Sequence, residues 1–174
     1  MKIASILLTS AVFASAASAA TTQPLNAPAP TAGVKAFLDV LNSGKGKPME
    51  QMTPQEARQV LIGAQQGAKL PAAQVSDKTI QVNGQNIRLK IVKPENATGT
   101  LPVFMFFHGG GWVLADHPTH ERLIRDLVRD SGAPAVYVDY TPSPAAPFPA
   151  AIYQAYQATR WVAAPGRAIG AVAR

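Results

Sequence analysis

Three observations predict an α/β fold whose sheet opens with an antiparallel hairpin and continues in parallel strands. Asn83-Gly84 lies between two segments of strand character. Two short, continuous apolar runs follow, Leu101 to Phe107 and Ala133 to Asp139, and helical patterns flank and separate them. Buried strands alternating with helices are the mark of parallel crossover units. Nothing in the chain repeats internally.

Taken in order, Met1 to Ala19 reads as a secretory signal peptide. Lys2 forms a short positive region, Ile3 to Ala14 an apolar region and Ala17-Ser18-Ala19 an A-x-A cleavage site. The apolar stretch is too short to span a bilayer and is interrupted by Ser5, Thr9 and Ser10, so a stable membrane anchor is disfavoured. The expected location is therefore periplasmic or extracellular. Residues 20–32 form a Pro/Ala-rich leader in which Pro24, Pro28 and Pro30 oppose helix formation. The folded domain is expected over residues 33–174.

Val34, Phe37, Leu38 and Leu41 recur at three- and four-residue spacing and predict a short helix ending before Gly44. Thr53-Pro54-Gln55-Glu56 predicts a second helix, with Thr53 as N-cap, Pro54 in the first turn and Glu56 closing a capping box. Residues 33–70 thus hold two helices, and residues 75–162 hold the sheet and its helices. Val75 to Val82 and Ile87 to Val92 are the hairpin strands, since Asn-Gly accepts the positive φ angles of a tight turn. The continuous apolar character of Leu101 to Phe107 predicts a strand buried on both faces. Leu123, Ile124, Leu127 and Val128 predict a helix over His120 to Ser131. Ala133 to Asp139 is the next strand, and Ile152, Tyr156, Thr159, Trp161 and Val162 suggest a last helix that dissolves by Pro165-Gly166.

Composition limits the function classes. The formal net charge is +6, one unit of which leaves with Lys2. The basic residues are scattered, without a stripe carrying interleaved aromatics, so no nucleic-acid partner is expected. The chain has no cysteine, which excludes disulfides and fits an exported domain stabilised by its core alone. About 155 residues remain after cleavage, enough for one ordinary domain.

The chemistry is concentrated in His108-Gly109-Gly110-Gly111-Trp112, directly after an apolar strand. Successive glycines let the backbone turn sharply and leave N–H groups unobstructed, as stabilising a developing oxyanion requires. A dinucleotide or P-loop reading fails, because both the G-x-G-x-x-G spacing and a following Gly-Lys-Ser/Thr are missing. No cofactor is expected. Asp116, His117 and His120, with His108 approaching from the strand end, raise the question of a metal, but their spacing is no recognised ligand pattern and none is expected. Asp116 instead suits the start of a helix.

Downstream stands Asp139-Tyr140-Thr141-Pro142-Ser143-Pro144-Ala145-Ala146-Pro147-Phe148-Pro149-Ala150. Together with the HGGGW loop it resembles the hormone-sensitive-lipase-like esterases and lipases of the α/β-hydrolase fold. The resemblance covers about Gly33 to Val162 and implies the N-terminal part of an α/β-hydrolase sheet, with Ala163 to Arg174 departing from the pattern. It implies that the N–H groups of Gly109 and Gly110 form the oxyanion hole and that His108 supports the loop. Gly111 would keep the turn tight and Trp112 would pack the loop or border the acyl pocket. Tyr140, Pro144, Phe148 and Pro149 would be scaffold. The helices before the first strand would belong to a cap, although two helices packed on any sheet fit their pattern equally. The family usually carries an acid where this chain has Ala145, which is expected to loosen that turn.

The family's nucleophile, acid and base are absent. No G-x-S-x-G occurs, Ser43, Ser76, Ser131 and Ser143 lie outside any such elbow, and no histidine follows His120. The expectation is an exported carboxylic-ester hydrolase family member, truncated before its elbow and inactive alone, acting on a small acyl ester only if complemented. The alternative is a non-catalytic exported binding or interaction protein on the same scaffold. Without a neighbouring strand, Val103 to Phe107 would be an open edge inviting self-association.

Overall fold

The computed structural model describes residues 29–44, 46–164 and 171–172. The signal region and most of the leader lie outside them. The chain falls into two compact units, Met1–Gly46 and Lys47–Arg174. The first contains α1 (Ala32–Ser43), where the Thr31 side chain accepts a hydrogen bond from the Val34 N–H and Lys35 pairs with Asp39 one turn on. The two predicted helices therefore stand in different units, since α2 (Pro54–Gly63) belongs with the sheet.

α2 starts as its sequence dictates. Thr53 accepts from the Glu56 N–H at 3.2 Å while the Glu56 carboxylate accepts from the Thr53 N–H at 2.6 Å. These bonds hold the Glu56 carboxyl below its ordinary range. The hairpin follows as β1 (Ala73–Val82) and β2 (Gln85–Pro94), antiparallel, with Val82 opposite Gln85. Asn83 (φ 51°) and Gly84 (φ 75°) make the turn in the conformation an Asn-Gly pair favours.

The apolar run from Leu101 forms two pieces, β3 (Leu101–Pro102) and β4 (Phe104–Phe106). Then come α3 (His117–Ser131), β5 (Ala135–Asp139), α4 (Ala150–Ala163) and β6 (Ala171–Val172). The main sheet has the order β1-β2-β5-β4, with β5 antiparallel to β2 and parallel to β4. This is the predicted hairpin followed by a parallel crossover. β4 is not buried on both faces as its composition suggested. Among the described residues it is the outer strand of its sheet; Phe104, Met105 and Phe106 are only half-buried and Phe107 is exposed.

Alternation along the strands divides the core. Ile87, Leu89, Ile91, Val136, Val138 and Tyr140 face α4 and pack with Ala158 and Val162. Val92, Ala135 and Tyr137 face the other way and pack with Ile124 and Val128 of α3. Fully burying a side chain such as Ile124 or Val128 stabilises by about 1.5–3 kcal/mol, so α3 is anchored chiefly by these two. The other half of its apolar pattern, Leu123 and Leu127, flanks that contact and remains exposed. α3 also begins one turn earlier than periodicity indicated. Asp116 is its N-cap and forms a reciprocal box with Thr119. The missing clue was that the first turn, His117-Pro118-Thr119, carries no aliphatic residue. Gly132 ends the helix in the left-handed conformation. Among the described residues no helix is long and apolar enough to cross a membrane.

Candidate active site

The glycine loop leaves the C-terminal end of β4, where parallel sheets gather functional groups. Gly109, Gly110 and Gly111 are exposed. Among the described residues, neither the Gly109 nor the Gly110 N–H has a hydrogen-bond partner. The Gly110 carbonyl is occupied, accepting from the N–H groups of Val113 (3.2 Å) and Leu114 (2.8 Å). The loop therefore closes on its carbonyl side and presents its donors outward. Such a pair of donors can receive a negatively charged oxygen.

Each glycine does something different. Gly110 has φ +120°, and a Cβ there would drive into the Leu114 carbonyl group, with its carbon at 2.8 Å and the Ala115 Cβ at 3.3 Å. Gly111 has φ +62° with open space around it, and Gly109 has neither positive φ nor a neighbour within 4 Å of a notional Cβ. Trp112 (φ 59°) and Ala115 (φ 67°) share the left-handed region that L-residues disfavour. Trp112 is 59 % exposed. It borders an apolar cleft of about 330 Å³ lined also by Gly111, Ser143, Phe148, Pro149 and Ile152. A larger cavity of about 540 Å³ shares no residue with the loop and lies among Glu95, Thr98, Leu101, Arg129 and Gly132.

Beneath the loop is a buried ring stack. His108 lies flat on Tyr140, with centroids 4.3 Å apart and planes 6° apart, and stacks at 5.7 Å on Tyr137. Its Nδ1–H donates to the Gly109 carbonyl at 2.8 Å, and the Tyr140 hydroxyl donates to the His108 carbonyl at 2.9 Å. Burial lowers the His108 pKa below its ordinary 6.5, against the opposing Gly109 bond. Burial likewise raises that of the Tyr140 hydroxyl. The imidazole is thus neutral at pH 7 and its geometry fixes the start of the glycine turn.

Asp116, His117 and His120 do not converge. Asp116 accepts from the Thr119 N–H, and the Thr119 hydroxyl meets His120 Nδ1 at 3.0 Å. His117 is buried, set edge-on to Tyr137, with Nδ1 4.0 Å from a Glu121 oxygen. Burial lowers its pKa, with the Glu121 charge opposing. Among the described residues its Nε2 and the Tyr137 hydroxyl are buried without a hydrogen-bond partner.

The turn that lacks an acid at Ala145 is nevertheless tied. The Ser143 N–H donates to the Trp112 carbonyl at 2.8 Å, and the Ser143 hydroxyl donates to the Ala146 carbonyl at 3.1 Å. Arg58 of α2 reaches both loops, donating from Nε to the Val113 carbonyl (2.7 Å) and from Nη2 to the Ser143 carbonyl (2.9 Å). A lone arginine on an amphipathic helix carries no sequence signal of such a contact, and nothing in the pattern singled it out. The remaining serines are engaged or remote: Ser43 and Ser131 donate to carbonyls of their own helices, and Ser76 lies exposed on β1.

The α/β-hydrolase fold family matches residues 104–173, which contain the loop, α3, α4 and β6. A solved esterase from Pseudomonas putida ECU1011 superposes with a TM-score of 0.75 at 60% identity, covering 79% of this chain and 44% of that one. Esterase LipI of Mycobacterium tuberculosis is 49% identical over 70 residues, 40% of this chain and 22% of LipI. Human hormone-sensitive lipase is 33% identical over 82 residues, 47% of this chain and 8% of the lipase. The chain belongs to the hormone-sensitive-lipase-like α/β-hydrolases. It spans less than half the length of each of these relatives.

The match also corrects the sequence reading at its C-terminal end. Residues after Ala163 do not depart from the family, for the match runs to residue 173. Ala171–Val172 pairs in parallel with Leu101–Pro102, so β6 lies beside β3. The signal was too short to read, since two residues of a strand after a Pro-Gly break carry no periodicity.

Proposed function

We propose that this chain supplies the oxyanion-hole half of an exported carboxylic-ester hydrolase, with the nucleophile, acid and base supplied by residues outside this sequence. The observation that carries the reading is the pair of unpartnered N–H groups of Gly109 and Gly110 at the end of a parallel strand, beside an apolar cleft. In an ester bound there, the carbonyl oxygen gains negative charge as the nucleophile adds, and two fixed donors meet it without solvent reorganisation. One such donor contributes about 2.7–4 kcal/mol to the transition state. Gly111 and Trp112 border the cleft that would take an apolar part of the ester, while His108 and Tyr140 keep the donors in place. The named esterases among the relatives support this substrate class. No serine of the described residues hydrogen-bonds a histidine or a carboxylate, consistent with a chain that is inactive alone.

The test treats the purified chain with a fluorophosphonate and records its intact mass. It then co-expresses the chain with the C-terminal segment of the Pseudomonas putida esterase that follows the matched part. The expected result is no adduct on the chain alone and, after complementation, hydrolysis of p-nitrophenyl acetate with an adduct on the supplied segment. An adduct on Ser43, Ser76, Ser131 or Ser143 would overturn the assignment of the nucleophile. A folded complemented complex without hydrolysis would favour the non-catalytic binding protein, to which the apolar cleft is equally suited.

A further inference from the structure

We infer that Arg58 is a positioning residue that sets the shape of the glycine loop, an inference that rests on the oxyanion reading above. Its two hydrogen bonds end on carbonyls of separate loops, Val113 after the glycines and Ser143 after β5. Those loops meet through the Ser143 N–H and the Trp112 carbonyl. The guanidinium therefore closes a three-way tie between α2, the glycine loop and the Ser143 turn. Among the described residues no carboxylate pairs with this half-buried cation, unlike Arg125, which binds Glu121. Its donors go to main chain alone.

The location of the tie explains why it is needed. Gly110, Gly111, Trp112 and Ala115 all have positive φ, and two of these are not glycine. Backbone in such a conformation persists only where its surroundings over-determine it. Arg58 grips Val113, in the middle of that stretch. From there the constraint passes directly to the glycines, because the Val113 and Leu114 N–H groups both donate to the Gly110 carbonyl. Fixing that carbonyl holds the chain immediately after the Gly109 and Gly110 N–H groups and so restricts how those donors can turn. A planar fork can hold two acceptors at a set spacing, whereas an ammonium acts as a single point.

The experiment compares amide hydrogen exchange in the full chain, in Arg58→Met and in Arg58→Lys. Loss of hydrogen bonds from a charged donor should speed exchange of the Leu114 and Ser143 amides by roughly tenfold to a hundredfold in Arg58→Met. Arg58→Lys should fall between, and the amides of Leu89, Val136 and Val138 should keep their wild-type rates. If Arg58→Met unfolds globally, core amides accelerate with the rest, and Arg58→Lys then decides. Wild-type exchange at Leu114 and Ser143 in a folded Arg58→Lys chain overturns the inference. In the complemented enzyme, Arg58→Lys should lower kcat by about tenfold, less than the loss of a donor because the donors are loosened and not removed, with little change in KM. Absence of hydrolysis with Arg58 intact would sink the esterase reading and leave the exchange result standing. Unchanged exchange beside intact hydrolysis would sink the role of Arg58 alone.

Discussion

Replacing Gly109, Gly110 and Gly111 one at a time by alanine should separate three reasons for a glycine that the sequence presents as identical. At Gly109 the backbone is ordinary and a Cβ meets nothing within 4 Å. Alanine there restricts the unfolded chain and should leave stability unchanged or raise it by about 0.4–1 kcal/mol. At Gly111 the space is open but φ is +62°. A left-handed L-residue costs about 1–2 kcal/mol, which the unfolded-state gain offsets in part, so the net loss should be about 1 kcal/mol. At Gly110 the φ of +120° adds to a collision with the Leu114 carbonyl group. Strained backbone costs about 1–3 kcal/mol and overpacking a further 1–3 kcal/mol, giving a loss of about 2–6 kcal/mol. Urea denaturation followed by circular dichroism measures all three, provided the m-value is constant. The order of midpoints should be Gly109→Ala at or above wild type, then Gly111→Ala, then Gly110→Ala. A Gly110→Ala chain as stable as Gly111→Ala would refute the loop geometry. The neutral position also has a functional use. If the open space beside Gly109 is where the oxyanion sits, Gly109→Ala should lower complemented hydrolysis without lowering stability.

Three further outcomes follow from the ring stack. Burial depresses the pKa of His108 and His117 below 6.5, so the unfolded chain takes up protons first; their stabilising effect is complete above about pH 6.5 and is lost as pH falls below it. Urea midpoints should therefore drop between pH 7.5 and 5.5, less so in His117→Gln, and a flat profile would count against buried neutral imidazoles. Tyr140→Phe removes the donor to the buried His108 carbonyl and should cost about 1–3 kcal/mol in the same assay. Tyr137→Phe removes a buried hydroxyl that has no partner among the described residues, so it should be neutral or stabilising by up to about 1–3 kcal/mol, and a loss like that of Tyr140→Phe would show that the hydroxyl is satisfied.

The fold was legible wherever local chemistry and burial agree. Asn83-Gly84 specified its hairpin, Thr53 and Glu56 their capping box, and Val136 and Val138 alternate with Ala135 and Tyr137 as a strand covered on both sides must. It was less legible where position in the sheet overrides composition. Leu101 to Phe107 reads as an inner strand because it is continuously apolar, yet among the described residues strand order places Phe104–Phe106 outermost. In α4 the apolar residues Ile152 and Tyr156 are exposed and the small Ala158 is buried, so size misled where contact with β5 decides. The glycine loop could be found as a motif, because close-approach geometry restricts residue type there. Arg58 could not, since its partners are carbonyls 55 and 85 residues away and any residue can provide a carbonyl.

The outer strand β4 has a consequence for how copies of this chain could stack. Among the described residues its unpaired backbone is three residues long, about 10 Å at the rise of a strand. Pro102 on one side has no N–H to offer, and the glycine turn bends the chain away on the other. A cross-β zipper needs a flat segment of about six or seven residues. Phe104 to Phe106 is about half of that, so a fibril templated on this edge would have to recruit backbone beyond the strand itself.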